Sequence, residues 1–217
     1  MPGIIKIVIV EDHPIFRMGM KELINREKDL EVVGDAETVA EALDLIESLR
    51  PDLVIVDLSL KESNGIELVK EIHQNHKHIA CLVLSMHDEA LHAERCLTAG
   101  ARGYIMKHEA SESVVRAIRH IMSGHIHVSP GIMSTILNKF QKQPDPVSAS
   151  PLKRLTDREF EIFRLIGQGL SSKEIAVQLG ISIKTVGTYR ERIKEKLDLK
   201  NSGELLRHAV VWVETGR

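Results

Sequence analysis

Five polar side chains stand where the sequence otherwise asks for burial. Glu11 and Asp12 follow the apolar run IIKIVIV, Asp57 ends LVIVD, Ser85 ends IACLVLS and Lys107 ends GYIMK. Such short runs, rich in Val and Ile, read as strands, and nearly unbroken apolar character means burial on both faces. Ligands of an open parallel sheet bind beyond the carboxyl ends of its strands, so three acids, a hydroxyl and an amine would converge on one edge. Carboxylates that close repel one another and need a cation or raised pKa values. A hard divalent ion with oxygen ligands, most simply Mg2+, relieves that repulsion. A lysine and a hydroxyl facing the ion supply donors for the oxygens of a phosphoryl group in transfer, and Asp57 is then a nucleophile that forms an acyl phosphate.

The elements that must position these groups follow from periodicity. Strands are predicted at 4–10, 30–34, 53–57, 79–85 and 103–107, with helix-period segments at 14–26, 38–49, 65–75, 88–99 and 111–123. Five β-α units in this rhythm give an α/β fold, a doubly wound five-stranded parallel sheet covered on both faces. From His125 the pattern changes. Ser129 as N-cap and Pro130 at the first helical position predict a connecting helix over 129–140. The following QKQPDPVSASPLKR has three prolines and no apolar period, so 125–150 reads as a linker.

Residues 151–217 then read as a small all-α domain of four helices. Thr156 with Glu159 and Ser171 with Glu174 form capping-box patterns, and Gly180 stops the second helix. Ser182 starts the long IKTVGTYRERIKEKL, Asn201 with Glu204 starts the last helix, and the tight LGIS turn makes a helix-turn-helix.

Composition supports two jobs in one chain. Apolar residues make up 43% and charged residues 28%, as in ordinary folded proteins. Residues 1–140 carry 15 Lys+Arg against 21 Asp+Glu, net −6, whereas residues 141–217 carry 14 against 10, net +4. A basic second part implies an anionic partner such as nucleic acid. No apolar run is long enough for a membrane span, and IIKIVIV lacks the basic lead of a signal peptide, so a cytoplasmic protein without a membrane partner is expected. Cys81 and Cys96 lie in apolar segments without metal-type spacing and read as reduced core thiols. The histidines of HQNHKH (73–78), with His120, His125 and His127, read as surface or linker residues.

Residues 5–124 resemble the receiver domain of bacterial two-component response regulators. The resemblance rests on EDHP after the first strand, VDLSL, Ser85, AGARGYIMK and its Lys107. It implies a flavodoxin-like receiver over 1–124. Glu11, Asp12, Asp57 and the backbone carbonyl of Ser59 would hold the metal, and Asp57 would accept a phosphoryl group from a sensor histidine kinase. Ser85 and Tyr104 would be the switch pair, with Lys107 on the phosphoryl oxygens. Phosphorylation adds charge and strong acceptors, drawing Ser85 and Lys107 inward; as Ser85 moves, it vacates space for Tyr104, and the surface from His87 to Ala110 changes. Relatives often have a small residue just after the switch hydroxyl, where this chain has Met86 followed by His87, so the bulky Met86 is expected to narrow access to the pocket.

The segment Leu155–Leu199 resembles the LuxR-type helix-turn-helix, which makes the whole chain similar to NarL/FixJ-family response regulators. The helix from Ile183 would then enter the major groove of promoter DNA. Lys184, Thr185, Thr188, Arg192 and Lys196 are expected to be exposed on it, while Val186, Tyr189, Ile193 and Leu197 face the core. Arg190 and the lysines would contact phosphates, as would Ser171, Ser172 and Lys173 at the preceding helix start. The last helix carries more apolar residues than a small core needs, so Leu205, His208, Ala209 and Trp212 are expected to form a homodimer contact, with ordinary core packing as the alternative. Without the phosphoryl group the receiver would cover the reading helix or oppose dimerisation, and phosphorylation would shift the population. Two other classes compete. A metal-dependent phosphohydrolase needs a second acid two residues after its nucleophile, which Ser59 cannot be. A constitutive DNA-binding protein with a vestigial receiver has no need of the intact set Glu11, Asp12, Asp57, Ser85 and Lys107.

Overall fold

The computed structural model describes residues 3–58, 60, 65–86, 89–141 and 151–215. They fall into two compact units, Met1–Gln141 and Lys142–Arg217. The first unit has a parallel sheet of β1 (Ile5–Val10), β2 (Leu30–Ala36), β3 (Leu53–Asp57), β4 (Ala80–Ser85) and β5 (Gly103–Met106). Strand order is β2-β1-β3-β4-β5, so the order reverses between β1 and β3. The two acidic strand ends therefore straddle the crevice where such folds bind ligands.

Alternation along each strand feeds two cores. Ile7, Ile9, Leu53, Ile55, Leu82, Leu84 and Ile105 pack on α1 (Pro14–Asn25) and α5 (Ala110–Met122). Val8, Val10, Val54, Val56, Cys81, Val83 and Tyr104 face α2 (Val39–Leu49), α3 (Gly65–Asn75) and α4 (Glu89–Ala99). Every residue of β3 is buried, which matches its unbroken apolar sequence. Cys81 is a free thiol in this core, and burial pushes its pKa up to about 12, so it is inert.

The predicted connecting helix is present as α6 (Pro130–Gln141), with the Ser129 hydroxyl accepting the Ile132 amide at 3.3 Å. It does more than connect. His127 adds a parallel bridge beside Gly103, exchanging backbone hydrogen bonds with Arg102 and Tyr104 at 2.9 and 2.8 Å. Ile132 is buried in the α2–α4 core, with Val128 and Ile136 packed against it. The first unit therefore runs past the predicted boundary at 124, because α6 has an apolar face that β5 and α4 can cover. Residues 142–150 of the predicted linker lie outside the described residues.

The second unit comprises α7 (Asp157–Gly167), α8 (Ser172–Gln178), α9 (Ile183–Leu197) and α10 (Ser202–Thr215). Both predicted capping boxes form, at Thr156 with Glu159 and at Ser171 with Glu174. Val186 and Ile193 of α9 are fully buried as expected, whereas Tyr189 and Leu197 are half-buried. Leu205, Ala209 and Trp212 of α10 are buried, with the Trp212 ring 5.1 Å from Phe160 and 5.9 Å from Phe163. This corrects the expectation that they form a dimer contact. Three short helices lack the apolar area to close a core alone, so α10 supplies its fourth wall.

Candidate functional site

Glu11 and Asp12 leave β1 just before α1, and Asp57 closes β3; all three are buried. Lys107, in the single 3-10 turn after β5, is buried too, and its Nζ lies 2.7 Å from Glu11 Oε2 and 2.9 Å from Asp57 Oδ2. Phe16 of α1 lies under this ammonium, 4.9 Å from it, and its ring face offers the cation a further attraction. Ser85 is wholly buried at the end of β4. The five groups named from sequence thus sit at the ends of β1, β3, β4 and β5. Burial makes each charge felt more strongly by the others than it would be in water.

Further parts of this pocket were not visible beforehand. His13 holds its Nδ1 2.9 Å from both Glu11 Oε1 and Asp12 Oδ1. Arg17 on α1 donates to the Glu11 carbonyl oxygen at 2.5 Å and pairs with Asp35 and Glu37 at 3.1 and 2.7 Å, tying the end of β1 to that of β2. Lys21 joins Asp35 at 2.7 Å and, with Arg17, holds that carboxyl below its usual pKa. Gly65 opens α3 where a Cβ would fall on the Asp57 carbonyl oxygen, so only glycine lets the helix pass that close to the acid. The EDHP string was the one available signal for His13; the rest depend on α1 and α3 folding back over the strand ends.

Tyr104 is 1% exposed and packed in the α2–α4 core, so its ring already occupies interior space instead of waiting outside it. Met86 is 68% exposed. Ser59 and His87 lie outside the described residues. Among the described residues, Glu11, Asp12, His13 and Asp57 form a group whose ligand atoms lie within 4.8 Å of one another. The donor set is predominantly anionic oxygen, which fits a divalent cation.

In the second unit, Lys173, Lys184, Thr188 and Arg192 are exposed, and Ser172, Thr185 and Arg190 are half-buried. Ser182 caps α9, accepting the Thr185 amide at 3.0 Å, so the first turn of that helix begins at a fixed place. Gly187 has open space where a side chain would be. Two expected contacts are used internally. The Ser171 hydroxyl donates to Glu174 at 2.7 Å and accepts its amide at 3.3 Å, closing the cap of α8. Lys196 reaches back to Glu159 at 2.6 Å, crossing from α9 to the α7 capping box. The side chain thus has a buried carboxylate as an internal partner, a use that competes with its expected contact to DNA. Glu191 pairs with Lys194 at 2.8 Å, giving this acid on α9 a cationic partner.

Residues 7–119 match the family described as response regulator receiver domain, and residues 153–209 match bacterial regulatory proteins of the luxR family. The chain belongs to the two-component response regulators. It is 36% identical over 210 residues to the oxygen regulatory protein NreC of Staphylococcus epidermidis, covering 94% of this chain and 96% of that one. A LuxR-family response regulator from Aurantimonas is similar in structure, with 34% identity and a TM-score of 0.59 over 64% of this chain and all of that one. The response regulator RcsB, solved in complex with DNA, is similar at 26% identity and a TM-score of 0.57, covering 96% and 98%. A receiver joined to a LuxR-type helix-turn-helix is a phosphorylation-dependent transcription regulator, and this response regulator has both parts. Its acidic pocket at the β1/β3 switch point can hold a divalent ion. No helix among the described residues is long and apolar enough to cross a membrane.

Proposed function

We propose that Asp57 accepts the phosphoryl group of a sensor histidine kinase, with Mg2+ held by Glu11, Asp12 and Asp57. The observation that carries this is the contact of Lys107 with Glu11 and Asp57 inside the buried acidic group. A bound divalent ion offsets carboxylate repulsion and the charge of the incoming group. Lys107 shields the Asp57 oxygens and receives the added phosphoryl charge, while the buried Ser85 hydroxyl stands at the neighbouring strand end as a further donor. Rearrangement of β4, β5 and the segments after them then shifts the population toward the DNA-binding form.

DNA recognition is assigned to the first turns of α9. Lys184, Thr188 and Arg192 are exposed there, and Arg190, Lys173 and Ser172 flank them for phosphate contacts. The DNA complex of the similar RcsB supports this choice of ligand. Homodimerisation on promoter DNA is assigned to the outer face of α10, where Leu206, Val211 and Val213 are exposed together with His208. Phosphodonor labelling followed by promoter gel shift tests the whole reading. Wild type is expected to take up label and bind DNA more tightly, and Asp57→Asn to do neither. Equal DNA affinity with and without label in wild type would refute phospho-control.

A further inference from the structure

The N-cap position of α1 carries a chemistry the acidic pocket does not need for Mg2+. His13 has extended backbone angles, φ −92° and ψ 106°, and Pro14 fixes the chain into the helix immediately after it. The imidazole is thereby turned back over the end of β1, where Nδ1 lies 2.9 Å from Glu11 Oε1 and 2.9 Å from Asp12 Oδ1. The His13 amide also donates to Glu11 Oε1 at 3.0 Å, holding that oxygen on the imidazole side. Lys107 takes the opposite side of the pocket, at Glu11 Oε2 and Asp57 Oδ2. Two oxygens and a nitrogen therefore group away from the lysine, with Asp57 also offering an oxygen within 4.8 Å of them all.

The His13 contacts at 2.9 Å are hydrogen-bond distances, and they are also compatible with ligand spacing in a coordination shell. Ligands about 2.1 Å from an octahedral ion stand about 3 Å apart along an edge and about 4.2 Å apart across the centre. Mg2+ has little use for an imidazole, whereas the first-row divalent ions gain affinity from nitrogen donors, least for Mn2+ and increasingly toward Cu2+. The ring is 65% exposed, so it can turn from its carboxylate contacts onto an ion without repacking the core. We infer that His13 is a nitrogen ligand of the receiver's metal site and biases the pocket toward a first-row transition-metal ion over Mg2+. The inference rests on the reading of the acidic pocket as a metal site.

The test uses Mn2+ on the full chain, with His13→Ala and the polar His13→Asn beside wild type. Titration calorimetry gives the Mn2+ and Mg2+ affinities, and pulsed electron paramagnetic resonance detects nitrogen bound to Mn2+. The expected result is nitrogen modulation in wild type that both variants lose. The preference for Mn2+ over Mg2+ should also fall by about tenfold, in the range typical of a lost interaction at a metal site. Mn2+ bound by wild type without nitrogen modulation, or with a preference both variants keep, overturns the role of His13 alone. Failure of wild type to bind either ion overturns the metal pocket with it.

Discussion

At the scale of residues, Lys107 shows how much one side chain can hold together. Its ammonium contacts two buried carboxylates from different strands and lies over an aromatic ring, so removing it would leave Glu11 and Asp57 facing each other without a protein cation between them. Met86, next to Ser85, is the opposite case. With 68% of its surface exposed it contributes little packing, and Met86→Ala is expected to shift the unfolding free energy by less than about 0.5 kcal/mol. That makes the variant a clean probe of access to the pocket. A changed lifetime of labelled Asp57 at unchanged stability would place Met86 on the route taken by water or phosphodonor, whereas an unchanged lifetime removes it. The acids, Ser85 and Lys107 were legible because each breaks an apolar run at a strand end. His13, Arg17 and Phe16 were not, because their relation to those acids exists only after α1 folds back over β1.

At the scale of elements, α6 is the main departure from the sequence reading. Its caps were legible, since Ser129 and Pro130 mark a helix start in any context, but its docking was not. The three-to-four-residue spacing of Ile132 and Ile136 marks an apolar face and names no partner for it. Ile132 is 6% exposed, so Ile132→Ala should lower the first unit's unfolding free energy by about 2 kcal/mol, measured by denaturant titration of the full chain. A free linker helix would show no loss. The helix-turn-helix has its own internal tie in the Glu159 capping box. Burial alone would raise the Glu159 pKa, but hydrogen bonds from Lys196 and Thr156 outweigh it and hold the carboxyl below its usual value. A carboxyl depressed in the folded state stabilises above its unfolded pKa, near 4.3, and that contribution disappears as pH falls through the folded value. The thermal stability of the second unit is therefore expected to fall on acidification below about pH 4.5, and Glu159→Gln to flatten that dependence. The same contact was not legible in the sequence, because a lysine near the end of α9 gives no sign of an internal partner on α7 until the fold brings the two together.

At the scale of the whole molecule, charge is divided between the units, net −6 over residues 1–140 and net +4 over residues 141–217. The acidic part disfavours nucleic acid and the basic part attracts it, so a DNA complex should be governed by counterion release from the phosphates that the second unit neutralises. Each neutralised phosphate contributes about −0.9 to the slope of log affinity against log salt. This separates two lysines that sequence pattern treats alike. Lys173 is exposed at the start of α8, while Lys196 is bound to Glu159 within the fold. Lys173→Ala is expected to weaken promoter binding across sequences and to reduce the magnitude of the slope by about one unit per bound protomer. Lys196→Met should leave the slope unchanged and instead lower the unfolding temperature of the second unit, because it strands a buried carboxylate. Affinities measured from 50 to 200 mM salt, alongside thermal unfolding of both variants, decide the matter: a reduced slope for Lys196→Met would return that residue to the DNA interface.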